Sequence, residues 1–453
     1  MTNNNEYPNS LLELSEMCKE NYKIPQKVIA HANVKRGLRN ADGSGVVAGA
    51  TNLGLVHGYV LYEGEKRPDE GKLFYRGYDV EKLIDGYVKE NRYGFEECAF
   101  ILLFGSLPTK EQLDVFKNLI SEYATLPAGF TEDVIMRAPS PNIMNKVQSG
   151  IVSLYSYDDN PEDKSLENQL RQSIQLISRL PIIAAQAYSV KKHIFDQDSL
   201  LLHRPLPGLA SAQNFMRILG QDVSFDEEEA RLLDLCLVLH AEHGGGNNST
   251  FSCRVLSSSG TDIYSSIAAA VGSLKGPKHG GANIKVDEMF DCIKSNVRDW
   301  NDDDEVVAML EKLLKKEAGD GSGLIYGMGH AIYTMSDPRA VTLKKYAADL
   351  AGKKGYMEEF NLLKKIEELS PSVFERITGH DKAMCANVDM YSGLVYRMLG
   401  IPKELFTPLF ASARVAGWCA HRIEEILTGG KIMRPAYKTN YFIRDYVPME
   451  DRH

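Results

Sequence analysis

The chain has 453 residues, 43% of them hydrophobic and 25% charged, with a formal net charge of -9 at pH 7. That length exceeds the roughly 250–300 residues at which a single core stops growing, so more than one domain is expected. The acidic balance argues against a general nucleic-acid or membrane-surface binder, since both meet phosphate with basic surfaces, and an anionic ligand would need a local cluster of Lys and Arg.

In chain order, the opening MTNNNEYPNSLLELSEMCKEN is acidic, and it lacks both the apolar core of a secretory signal and the Arg/Ser-rich character of a transit peptide. The seven cysteines, Cys18, Cys98, Cys236, Cys253, Cys292, Cys385 and Cys419, stand singly with no Cys-x-x-Cys pair. Such a pattern reads as free thiols in a reducing compartment. No run reaches the roughly 18 apolar residues of a membrane span, so a cytoplasmic protein is expected.

Residues 45–85 carry the only persuasive strand signals: GVVAGATNLGLVHGYVLYEG and KLFYRGYDVEKL hold short Val/Leu/Tyr runs broken by Gly and Asp. They predict a small hairpin leading into a helix. Almost everything after that has helical period. Residues 228–240 are nearly continuous in apolar side chains, as in a helix buried on most sides. Leu409, Phe410, Ala413, Ala416, Gly417, Ala420 and Leu427 trace one long stripe whose small residues allow close helix approach. Breakers gather at 203–208 (HRPLPG), 244–248 (GGGNN), 317–329 and 400–402 (GIP). The charged runs at 301–305 and 312–316 read as solvated faces.

The expected fold is therefore all-α, in two domains, with a small N-terminal β-hairpin. A large helical domain covers 45–280, a small one inserted into it covers 281–400, and 401–453 return to the large domain. Residues 1–44 form an N-terminal extension, part of the large domain or of unassigned role.

Four loops share one grammar, in which glycine or a turn presents a single functional group beside a helix start: LHAEHGGGNN at 239–248, KGPKHGG at 275–281, LIYGMGHAIYTMSDPRA at 324–340 and ANVDMYSG at 386–393. His279 precedes a helix whose apolar positions are Ala282, Val286, Met289, Phe290 and Ile293. The positive end of that helix disfavours imidazolium, so the ring stays neutral and suits a hydrogen-bond donor to a developing oxyanion. By itself His243 reads as a helix-end histidine and His240 as a core histidine. Their spacing of three also fits a metal-dependent hydrolase, though the pattern His-Ala-Glu-His lacks a third spaced ligand.

Asp389 precedes the apolar helix positions Met390, Leu394 and Met398, and its spacing favours an N-cap over a general base. Arg339 follows Ser336-Asp337-Pro338, which places a cation where a helix start prefers an anion, so it needs Asp337 or a bound carboxylate as partner. Arg414 faces the packed side of its helix and also needs a partner. Arg434, in KIMRPAY, looks merely exposed.

Together the loops resemble the citrate synthase family, in the order HxxHGGGN, GPxHGGAN, GxGHAxYxxxDPR, NVDxYSG, an AR pair on a long helix, then RP, from about residue 45 to 437. The resemblance implies a helical enzyme whose small domain closes over oxaloacetate, and a condensation of acetyl-CoA with oxaloacetate to citrate and CoA without metal or redox cofactor. It implies Asp389 as base, His279 as donor to the thioester oxygen, and His330 as acid on the ketone. His243, Arg339, Arg414 and Arg434 would hold oxaloacetate with His330, Arg434 reaching across a homodimer.

Leu324, Ile325, Tyr326, Gly327, Met328 and Gly329 would contact the CoA adenine, with Asn387 beside the base. Some relatives carry a basic residue for CoA phosphates where this chain has Thr334; Lys275, Lys278 or Lys382 could supply that charge. The nearest rival, a 2-methylcitrate synthase using propionyl-CoA, differs by one methylene, which a pocket discriminates by only about 1–3 kcal/mol.

Overall fold

The structure is a computed structural model that describes residues 11, 15, 24, 26–40, 42–63, 65–220, 224–379, 383–440 and 443–452. Lys382 and Cys18 lie outside the described residues. Two compact units emerge, one of Met1–Ala48 with Met433–His453 and one of Gly49–Ile432. The first holds the Gln26–His31 helix and two single 3-10 turns, Arg36–Leu38 and Met449–Asp451. The second holds the sheet and the remaining helices.

Helices take up 59% of the residues, and the one sheet among those described has three short strands, as the all-α expectation required. The sheet is antiparallel in the order β1 (Gly54–Tyr62), β2 (Glu65–Tyr75), β3 (Tyr78–Asp79). β3 is an addition to the expected hairpin. It forms because Arg76 and Gly77 both take positive φ, the two-residue turn whose twist matches antiparallel strands. Asp79 then caps the Val80–Lys89 helix by accepting from the Glu81 N–H at 3.0 Å.

The β1–β2 register is interrupted. His57 pairs with Lys72 and Tyr59 with Pro68, so Gly58 alone faces Asp69, Glu70 and Gly71. This bulge tolerates Pro68, which cannot donate to a ladder.

The Phe406–Leu427 helix forms the centre of the larger unit, against the Phe95–Phe104, Leu166–Phe195, Glu227–His240, Asn248–Ser258 and Ile263–Leu274 helices. Sequence periodicity showed one stripe, whereas the structure buries every residue from Phe406 to Ile423. Enclosure by helices on all sides removes the polar face a surface helix would keep. Gly417 lets another segment approach this helix closely: its N–H donates to Ala241 O at 3.2 Å, and a Cβ there would stand 2.4 Å from that oxygen. No described helix is long and apolar enough to cross a membrane.

Candidate active site

The Gly417 contact seats the loop that follows the Glu227–His240 helix. His240 behaves as a core histidine, with Nε2 at 3.0 Å from the Tyr396 hydroxyl and its ring 4.2 Å from that of Phe410. His243 is buried and its Nε2 has no hydrogen-bond partner. Burial, then the nearby charges of Arg339 and His330, hold its pKa well below the usual histidine value, so the ring is neutral. Among the described residues no group of three or more His, Cys, Asp or Glu side chains is placed to hold a metal ion.

Between these two histidines, Glu242 turns into the core and meets His421 Nε2 at 2.9 Å. Arg254 donates to His421 Nδ1 at 2.8 Å, so His421 must carry its proton on Nε2 and donate it to Glu242. Burial, the largest influence, raises the Glu242 pKa, but His421, Arg414 and the Gly244 N–H together outweigh it and the net shift is downward.

His330 is fixed by its own backbone. Its Nδ1 accepts from the Ile332 and Tyr333 N–H groups, both at 3.1 Å, so the neutral ring carries its proton on Nε2. Its centroid lies 4.6 Å from the stacked Tyr333 ring and 5.1 Å from that of His243. Asp337 caps the Pro338–Lys354 helix and also grips Arg339, Nε at 3.0 Å and Nη2 at 2.7 Å. Of the two partners Arg339 could have had, this structure shows Asp337.

Arg414 is different. It is 0% exposed, its Nε donates to His240 O, and both Nη1 and Nη2 lack a hydrogen-bond partner. Burial pulls its pKa down to about 10 despite the attraction of Glu242.

His279 lies in the turn before the Ala282–Asn296 helix, with Nε2 at 3.1 Å from Ser249 Oγ. Its pKa is lowered to about 4, by burial first and by Arg414 second, so the neutral ring expected from the helix end is found with different main causes. Asp389 corrects the cap reading: the cap of the Val388–Met398 helix is Asn387, which accepts from the Asp389 N–H at 3.0 Å. One residue further into the helix, the Asp389 side chain is free of that duty. Burial raises its pKa to about 6, against the pull of Arg339 and Arg414.

The glycine loop runs up to this helix. Gly329 N–H donates to Cys385 O at 2.7 Å, and Asn387 N–H donates to Gly327 O at 2.8 Å. Leu324 is exposed, Ile325 and Gly327 are buried, and Tyr326, Met328 and Gly329 lie between. A cavity of about 280 Å³ opens beside Leu324 and Tyr326, against Lys285, Met289 and Cys292. Lys278 is exposed next to His279. The structure thus links the candidate site groups electrostatically through His243, which feels Arg339, His330, Arg414 and His279, and through Arg339 and Arg414, which both act on Asp389. Arg434, exposed, belongs to the other compact unit.

Residues 42–436 match the family model described as "Citrate synthase, C-terminal domain". The chain belongs to the citrate synthase family. A citrate synthase of Synechocystis sp. is 35% identical over 392 residues, covering 84% of this chain and 89% of the relative. A 2-methylcitrate synthase of Corynebacterium glutamicum is 30% identical over 430 residues, covering 94% and 100%. Among solved structures, a citrate synthase of Thermoplasma acidophilum in ternary complex with carboxymethyl coenzyme A and oxaloacetate aligns with a TM-score of 0.75 at 26% identity, over 92% of this chain and 99% of that one. Citrate synthases are acyltransferases that condense acetyl-CoA with oxaloacetate, and the 2-methylcitrate alternative is not better supported.

For this citrate synthase family member, sequence reasoning missed Ser249, Tyr333 and the Glu242–His421–Arg254 chain. Glu242 and Tyr333 sit inside the motif loops, but nothing local marked them as supports. Ser249 had only the weak signal of a helix start after Asn247.

Proposed function

We propose that this citrate synthase uses Asp389 to take a proton from the methyl carbon of acetyl-CoA. A carboxyl at about 6 is basic enough for that task and still ionised near pH 7. His279, neutral, donates to the thioester oxygen as negative charge develops there. Donation needs the proton on Nδ1, which follows when Ser249 turns its hydroxyl from Asn247 Oδ1 (2.8 Å) to His279 Nε2 (3.1 Å). His330 presents Nε2–H to the ketone oxygen of oxaloacetate as the new carbon–carbon bond forms. Water then cleaves the citryl thioester. Every step is acid–base or electrostatic, so the scheme calls for no metal or redox cofactor.

The observation that carries this reading is the pair of unpartnered, fully buried nitrogens on Arg414. Leaving a buried cation uncompensated costs several kcal/mol, and a carboxylate meets a guanidinium fork with two parallel hydrogen bonds. A dicarboxylate held there lies among His243, His330 and Arg339. Arg434 completes the site from the second subunit of a homodimer, and residues 281–400 close over the substrates as the small domain. CoA lies along Leu324–Gly329, with Asn387 and Lys278 at its borders and the neighbouring cavity in reach. The singly placed cysteines support a cytoplasmic setting.

The test is release of CoA thiol from acetyl-CoA and from propionyl-CoA, each with and without oxaloacetate. Oxaloacetate-dependent release with a higher kcat/KM for acetyl-CoA is expected. A preference for propionyl-CoA would assign 2-methylcitrate synthesis, and no release from either would reject the substrate pair.

A further inference from the structure

Gly54, Val56 and Gly58 occupy alternate positions of β1, and alternate strand residues share one face. Each meets a segment that carries a site histidine. A Cβ on Gly54 would stand 2.8 Å from Glu242 Oε1, the neighbour of His243 in sequence. Val56 lies 3.3 Å from where Gly244 would carry a Cβ, on the other side of His243. A Cβ on Gly58 would stand 2.7 Å from Tyr333 Cα, three residues after His330.

The bulge opposite Gly58 adds hydrogen bonds to these contacts. Three β2 residues face one on β1, which releases backbone groups from the ladder. Asp69 N–H donates to Thr334 Oγ1 at 3.3 Å, Gly71 N–H donates to Ser336 Oγ at 3.0 Å, and Thr334 Oγ1 donates to Gly58 O. A Cβ at Gly71 would fall 2.0 Å from Ser336 O. The path to the ring is short, because Tyr333 both stacks on His330 and donates its N–H to His330 Nδ1.

We propose that the β1–β2 hairpin sets the spacing between His243 and His330, with Gly58 and Thr334 as positioning residues. Thr334 fastens the His330 loop to the bulge. The proposal rests on the reading of these histidines as oxaloacetate ligands. Misplacing a reacting group by about 1 Å can cost about 100-fold, so the hairpin would act on turnover without touching substrate.

The test compares wild type with T334V, T334S, G58A and, as control, V60A at an exposed hairpin position. Measured for each are kcat, both KM values and the thermal midpoint. T334V and G58A should lower kcat by about 10- to 100-fold and raise the oxaloacetate KM, with the acetyl-CoA KM within about twofold of wild type. T334S should recover most of the loss and V60A should match wild type. If T334V keeps kcat and the oxaloacetate KM within twofold, or if both KM values rise together with a falling midpoint, the proposal is overturned.

Should G58A fail to fold, T334V alone decides. Should wild type release no CoA, the substrate reading fails separately. The spacing is then judged from a crystal structure of T334V: a His243–His330 centroid distance well beyond 5.1 Å supports the proposal and an unchanged one refutes it.

Discussion

Asn387 ties the glycine loop to the helix of Asp389: its side-chain oxygen accepts the Asp389 N–H at 3.0 Å while its amide nitrogen donates to Gly329 O at 2.9 Å. One side chain therefore sets both the first turn that aims the carboxyl and the backbone expected to receive CoA. Replacing Asn387 with Ala removes a cap of about 1 kcal/mol and frees the loop. The expected result is a several-fold higher KM for acetyl-CoA and a lower kcat, with the oxaloacetate KM unchanged. Steady-state kinetics with each substrate varied in turn checks this.

Arg414→Met should separate stability from binding. The change strands His240 O, at about 1 kcal/mol, but removes a buried cation with two unsatisfied nitrogens. Without ligand, the thermal midpoint should stay at or above that of wild type. Oxaloacetate should raise the wild-type midpoint and leave that of the variant unmoved, as scanning calorimetry would show.

Two pH dependences follow. For activity, kcat/KM should rise through an apparent pKa near 6 as Asp389 ionises, with no inflection from His279 between pH 5 and 8, because that ring is already neutral above about 4. For stability, His240 and His243 are held well below 6.5 and His279 at about 4, so below about pH 6.5 the unfolded chain binds protons that the folded one refuses. Stability from these rings is present above 6.5 and lost as pH falls. Asp389, raised to about 6, and Asp234, raised to about 8 by burial, act in the opposite sense above 3.8, as two groups against three. The unfolding midpoint should drop between pH 7 and 5; a flat profile would contradict the burial of neutral rings.

If Arg434 serves the other subunit, an Asp389→Asn chain and an Arg434→Ala chain, each inactive as homodimers, should regain part of the activity when mixed. One site of each mixed dimer would then hold both intact residues. Absence of recovery in verified mixed dimers would place Arg434 outside the partner's site.

The hairpin and the helical character of the rest could be read in the sequence because glycine breaks and 3.6-residue periodicity are local signals, whereas the roles of the six histidine, arginine and aspartate positions came from the resemblance to the citrate synthase family. Spacing alone favours a cap for Asp389, against the base the family resemblance implies, since Asn387 and Asp389 are both capping residue types two positions apart and only the geometry shows that Asn387 takes the helix N–H. That Asp337 both caps its helix and grips Arg339 also awaited coordinates. The bulge at Gly58 and the Glu242–His421 contact, 179 residues apart in the chain, belong to tertiary pairing that no periodicity reports. Burial of the whole Phe406–Ile423 circumference is likewise a property of the surrounding helices rather than of the segment.

The central claim is that Asp389 is the base, and Asp389→Asn tests it most directly, with oxaloacetate binding measured by titration calorimetry beside oxaloacetate-dependent CoA release. The account predicts unaltered folding, oxaloacetate affinity within a few-fold of wild type, and CoA release lowered by about 100- to 10,000-fold. Release within a few-fold of wild type, from a variant that binds oxaloacetate normally, would contradict it.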